Sequence, residues 1–268
     1  MSILKNKRTL SSLEYERRYM ELYDYMTDRL SRLPRRYQAI LGSPMREGLG
    51  HIYDEVVSIS DMYVEGSKAA ERKKLCKVAV RGLEKFGAWV YLLWILSDGD
   101  NGIKPIEARQ RDYMAGLVNR ELRLLAGVGS IEGVTEMRSF RKTDIEKLEA
   151  LKKLFELNAL VYPKIIRIPL AERDEEAALA CRYIRDAFYC AWVANGERAD
   201  NAKTAAKRRK YLGEAISDLY RVDRPMAKMF MVDLFSATDM EKITFLINDS
   251  TKLLQGLLNS ERERASDQ

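Results

Sequence analysis

Two residue patterns in this chain could do chemistry. The first is "REGLGH" (46–51), which sets Arg46 five residues before His51, the only histidine in 268 residues. An arginine that steadies a phosphate, beside an imidazole that titrates near neutral pH, is a pairing suited to RNA cleavage. Against it, Glu47 follows the arginine and would repel a phosphate.

The second pattern is cationic. "LSRLPRRYQAILGSP" (30–44) gathers Arg32, Arg35 and Arg36 around Pro34. "ERKKLCK" (71–77) carries Lys73, Lys74 and Lys77, with Arg81 one turn further on. "KTAAKRRKY" (203–211) places Lys203, Lys207 and Lys210 at i, i+4 and i+7, one helical face, with Arg208 beside it. Such stripes can track a phosphate backbone through salt-sensitive point charges. The plainer account of each run is a solvated helix face.

Other chemistries find no residues. One histidine and no cysteine cluster leave no metal set, and no cofactor is expected. "GLGHIYDE" and "AGVGSIEG" lack the lysine and strand-to-helix setting of a phosphate loop. Cys76, Cys181 and Cys190 lie in apolar helical patterns without CxxC spacing. With no secretory leader in "MSILKNKRTL", they point to reduced thiols in a cytoplasmic protein. The most apolar run, "FGAWVYLLWIL" (86–96), has 11 residues and is too short to span a bilayer. It concentrates Phe86, Trp89, Tyr91 and Trp94, for which core filling is the simpler account and contact with another subunit the alternative. The net charge of +6 is compatible with nucleic acid, with an acidic partner, or with neither.

The elements that must position these residues are helices. Apolar residues make up 46% of the chain and charged ones 32%, with only 6 prolines and 15 glycines. Ser11 and Glu14 form a capping box ahead of a stripe of Tyr15, Tyr19, Leu22, Met26, Leu30 and Leu33, which Pro34 should end. A second helix is expected from Ser43–Pro44, and a third from Ser67 to about Leu96. "SDGDNGIKP" (97–105) is a loop, and a fourth helix runs from Pro105 to Gly127. Residues 128–142 lose the helical period, and a capping box at Thr143 and Glu146 starts the pattern again.

The chain repeats itself at an offset of 129 residues. Pro34 falls on Pro163, Tyr63–Val64 on Trp192–Val193, Leu83 on Leu212, Tyr91 on Tyr220, Leu117 on Leu246, and "LLAGV" (124–128) on "LLQGL" (253–257). The expected architecture is all-α: two tandem up-down four-helix bundles, at 1–127 and 143–260, joined by a linker at 128–142 and followed by a charged tail at 261–268. The proline is expected to end the first helix of both halves. The arginine cluster belongs to the first half alone, because Arg32 and Arg36 correspond to Val161 and Ile165. Arg46 and His51 correspond to Glu175 and Ala180.

The R-x4-H spacing is the one seen in the HEPN family of helical ribonucleases, although there it lies late in the bundle. A second likeness covers more of the chain. "LPRRYQAILGSPMREGLGHIYDEVVSISDMYVEGSKAAERKKLCKVAVRGLEKFGAWVYLLWIL" (33–96) and "KPIEARQRDYMAGLVNRELRLLAG" (104–127) resemble the accessory variability determinant family of diversity-generating retroelements. The shared features are Pro34, Arg35 and Tyr37 before the second helix, that helix's apolar pattern, a lysine-rich start to the third, and a fourth opened by proline. The resemblance implies a non-catalytic accessory of a reverse transcriptase. Such a protein binds template RNA, or an RNA–DNA hybrid, and the polymerase, and supports mutagenic reverse transcription. Its relatives form a ring of single-bundle subunits, so a homo-oligomer is implied, though a two-bundle chain departs from that plan. It carries Arg35, Lys73, Lys74, Lys77 and Arg81 as nucleic-acid contacts. Arg32, Arg36, Lys203, Lys207, Arg208 and Lys210 join them on charge alone. A helical adaptor of a phage or mobile element, without a nucleic-acid role, is the remaining alternative.

Overall fold

The structure, a computed structural model, describes residues 14–64, 69–95, 106–131, 148–168, 175–196 and 201–266, with the backbone alone for 36, 63, 64, 95, 265 and 266. The expected caps at Ser11, Ser67 and Thr143–Glu146, the loop 97–105 and residues 132–142 of the linker lie outside the described residues. Among the described residues the fold is all-α, with no strand. The long helices are α1 (Glu14–Ser31), α2 (Ser43–Val64), α3 (Ala69–Ile95), α4 (Ala108–Gly129), α5 (Glu149–Arg167), α6 (Glu175–Gly196), α7 (Ala202–Met231) and α8 (Ala237–Ser266). The chain divides into two compact units, Met1–Tyr91 with Ile106–Ser139, and Leu92–Pro105 with Phe140–Gln268.

In the first unit, α1 buries Tyr15, Tyr19, Leu22, Met26 and Leu30, the stripe its spacing dictates. Its outer face is laced by Arg17 and Arg18 with Glu14 and Glu21 at 2.8–2.9 Å. α1 stops at Ser31, before Pro34, as the missing proline N–H requires. The next helix does not begin at Ser43, however. Helical backbone resumes at Arg35, passes through a π-helical turn over Gln38–Gly42, and runs on into α2. Pro44 has no N–H to give the carbonyl four residues back, so the α-ladder is interrupted there. The Ser43 N–H bonds instead to the Gln38 carbonyl, five residues back. Gln38 also closes the preceding helix: its Nε2 reaches the carbonyls of Leu30, Ser31 and Leu33 at 2.6, 2.8 and 3.0 Å.

Buried tyrosine hydroxyls tie α1 to α2. Tyr15 bonds Ser60 at 3.0 Å, and Tyr19 donates to the Leu49 carbonyl at 2.6 Å. α3 comes so close to its neighbours that a Cβ on Gly82 would stand 2.7 Å from Ile52 Cγ1 of α2, and one on Gly129 would stand 2.6 Å from Cys76 Cβ. α4 ends with Ser130 in the left-handed region (φ 47°), which turns the Ile131 N–H back to the Ala126 carbonyl at 2.9 Å.

In the second unit α5 packs on α6, α6 on α7, α7 on α8, and α8 back on α5. α5 and α8 run antiparallel, since Lys164 meets Asp239 at 2.8 Å while Lys153 meets Asp249 at 3.6 Å. α6 buries Ala177, Ala180, Ala187, Ala191 and Ala194, side chains small enough for close helix approach. Pro163 does not end α5, contrary to the expectation from Pro34; the helix continues to Arg167. Val161, Tyr162, Ile165 and Ile166 on either side of it are buried, and Tyr162 donates to the Cys181 carbonyl at 2.9 Å. That packing outweighs one lost backbone bond.

Of the helix starts among the described residues, only those of α4 and α8 lie 129 residues apart; α1 and α5, α2 and α6, and α3 and α7 begin 135, 132 and 133 apart. Ala108 and Ala237 both open the fourth helix of their halves, and Leu83/Leu212 and Leu117/Leu246 are buried pairs. The offset fails for Tyr91, 1% exposed, against Tyr220, 57% exposed. At the C-terminal end, α8 continues through Ser266, so residues 261–266 of the expected tail are helical and Glu261 is buried.

Candidate nucleic-acid interface

α3 is amphipathic at its start. Cys76, Ala79, Val80, Leu83 and Phe86 face inward, while Lys73, Lys74, Lys77, Val78 and Arg81 are exposed. Lys74, Lys77, Arg81 and Lys85 follow at intervals of 3, 4 and 4, a single stripe along the helix. Over 72–85 the only acid is Glu84, and it is buried at 3% exposure. No carboxylate of the described residues pairs with Lys73, Lys74 or Lys77. Three such ammonium groups within five residues repel one another, and an approaching polyanion relieves that repulsion.

The other basic residues are placed differently. Arg32 is exposed but held by Asp28 at 2.8 Å, and Arg35 is exposed on the first turn after Pro34. The Arg36 side chain lies outside the described residues. On α7, Lys203 is exposed, Lys210 stands 3.9 Å from Glu214, and Lys207 lies over the Tyr211 ring at 6.0 Å. Arg208 leaves the stripe it was grouped with. It turns inward onto Glu261 of α8 at 3.5 Å, where its side chain is 21% exposed and that of Glu261 3%. Arg208 therefore packs against α8, sharing the buried Glu261 carboxylate with Arg264, which also stands 3.5 Å from it.

Arg46 and His51 do not converge. Five residues on an α-helix turn through about 140° beyond a full turn, so the two side chains leave α2 in different directions. Arg46 donates to the Ser43 hydroxyl at 3.2 Å, and His51, three-quarters exposed, has Glu47 at 3.8 Å.

Two features escaped sequence reasoning. Glu121 of α4 is 1% exposed, and neither carboxylate oxygen has a hydrogen-bond partner. Burial pushes its carboxyl up to about 8, opposed by nearby Arg18 and reinforced by Glu14. A glutamate among Val118, Leu122 and Leu125 was the available signal. The second is the exposed apolar tip of α7, formed by Phe230, Met231 and Val232 at 41, 81 and 61% exposure.

All three cysteines are free and buried, and burial raises the Cys76 thiol to about 11, which keeps it unreactive near neutral pH. Among the described residues no three His, Cys, Asp or Glu side chains are grouped to hold a metal, and no helix is long and apolar enough to cross a membrane. No family model, curated protein or solved structure matches this chain.

Proposed function

We propose that this protein is a non-catalytic, cytoplasmic RNA-binding accessory of a reverse transcriptase, built as two tandem four-helix bundles. The observation that carries the RNA-binding part is the face of α3, where Lys73, Lys74 and Lys77 are exposed and pair with no carboxylate of the described residues. Arg35, and Lys203 and Lys210 on α7, are secondary contacts; Arg208 is not one. The polymerase partner, template RNA or RNA–DNA hybrid, and homo-oligomer rest on the resemblance of 33–96 and 104–127 to the accessory variability determinant family.

The test is a salt series with a labelled structured RNA, read on native and denaturing gels. Intact RNA should be retained, with affinity falling as salt rises. Charge reversal at Lys73, Lys74 and Lys77 should flatten the log–log salt slope by about 2–3 and weaken binding at least tenfold at low salt. Unchanged binding after that reversal refutes the reading. Shortened RNA, lost with His51→Ala, would instead favour the HEPN-type ribonuclease using Arg46 and His51. The exposed Phe230–Met231–Val232 tip favours a second reading, the protein–protein adaptor, in which RNA is neither shifted nor cut.

A further inference from the structure

Beside the basic stripe, α2 and α3 leave a groove of about 270 Å³. Gly48, His51, Ile52 and Glu55 line it from α2, and Val78, Gly82, Lys85, Phe86 and Trp89 are among its lining residues on α3. The two glycines create it: a Cβ on Gly48 would come within 3.2 Å of the Trp89 ring, and one on Gly82 would meet Ile52. The volume falls just under that of drug-sized pockets, about 300–1,000 Å³, and suits one planar ring system. The floor is apolar and aromatic. Glu55 leaves a polar demand unmet there, because its Oε2 is buried with no hydrogen-bond partner.

The two rims differ in sign. Along α2 run Glu47, His51 and Glu55, and along α3 run Lys74, Lys77, Arg81 and Lys85, with half-exposed Val78 facing the groove between them. A polyanion can lie only along the α3 rim, so whatever enters the groove must point from that rim toward Glu55. An unpaired nucleotide has this shape: a phosphate on one side and a flat base projecting from the other. Among the bases, guanine presents two adjacent N–H donors, N1–H and the N2 amino group, on its Watson–Crick edge. A carboxylate can accept both at once.

Building on the RNA-binding reading, we propose that the α2–α3 groove of the first unit captures one unpaired guanine of single-stranded RNA. Glu55 accepts from the base edge, the aromatic floor receives its ring, and Lys74, Lys77 and Arg81 hold the flanking phosphates. The protein then selects single strands, since a paired guanine has its Watson–Crick edge occupied.

The experiment is fluorescence anisotropy of the full chain with two labelled ten-nucleotide RNAs, all uridine and the same with one central guanosine. The guanosine RNA should bind about tenfold tighter, in line with a bidentate base contact. Glu55→Gln keeps the size of the side chain but puts an amide donor against a donor edge. It should erase that preference without weakening all-uridine binding, since the change removes a negative charge beside the phosphates. Reversal of Lys73, Lys74 and Lys77 should weaken both RNAs alike. Equal affinities in the wild type, or a preference that survives Glu55→Gln, overturns the guanine site and leaves RNA binding standing. If the groove instead accepts a protein side chain, the wild type shows no guanosine preference, which is the same refutation. Binding of neither RNA overturns both readings. Circular dichroism of Glu55→Gln, unchanged from wild type, assigns a loss to recognition and not to folding.

Discussion

The two units solve the same packing problem with different polar chemistry. The first joins helices through tyrosine hydroxyls, Tyr15 to Ser60 and Tyr19 to the Leu49 carbonyl. The second also has such a bond, Tyr162 to the Cys181 carbonyl, and adds ion pairs between helices: Lys164–Asp239, Lys153–Asp249, Arg208–Glu261 and Lys228–Glu176. The contrast is sharpest at one pair of positions 129 residues apart. Glu121 of α4 and Ser250 of α8 are both buried, and neither has a hydrogen-bond partner. An orphan hydroxyl costs a fixed desolvation penalty, whereas an orphan carboxyl costs more as pH rises. Glu121 thus makes the first unit proton-sensitive near neutral pH, whereas in the second, burial raises the Asp223 carboxyl and the Lys164 hydrogen bond lowers that of Asp239.

The largest expected effect tests that difference. The Glu121 carboxyl is raised to about 8 in the fold and lies near its ordinary 4.5 when unfolded. The first unit is therefore most stable below the unfolded value and loses stability as pH climbs through 8, by about 4–5 kcal/mol in total. Glu121→Gln should abolish the decline, read as melting temperature at pH 5, 7 and 9. A wild-type profile flat between pH 6 and 9 would remove the distinction between the halves.

Arg208→Glu is next and strikes the second unit. It sets a like charge against buried Glu261 and should cost about 3 kcal/mol in urea denaturation, with Arg208→Lys recovering part. Gly82→Ala returns to the first unit: the new Cβ meets Ile52, so about 2 kcal/mol should be lost. Pairing it with Ile52→Val, which trims that contact, should recover some of the loss. The smallest is Tyr15→Phe, about 1 kcal/mol, because Ser60 keeps a bond to the Val56 carbonyl at 3.2 Å.

What the sequence revealed of this fold was its periodicity. The buried stripe of α1, the stop before Pro34 and the cations of α3 all follow from spacing within one helix. What depended on a neighbouring helix was hidden. Pro163 looks like Pro34 in one dimension, but the buried surface from Val161 to Ile166 holds α5 together through it. Arg208 looks like its lysine neighbours until α8 is seen to run on through Ser266, bringing Glu261 opposite it. Glu55 reads as one more surface acid on α2, and only the packing around it shows that one of its carboxylate oxygens is buried. The π turn was equally illegible, for Ser43–Pro44 is a good helix start in isolation.

That turn has a consequence for how the chain tolerates change in length. A π turn carries one residue more than an α turn, so Gln38–Gly42 is in effect an insertion already absorbed. Deleting one residue there would restore α spacing and leave the two flanks nearly in phase, because five residues of π-helix turn about as far as four of α-helix. The cap on α1 and the wall of the groove would then both keep their places. The same deletion within α2 has no such slack and would turn its flanks about 100° relative to each other.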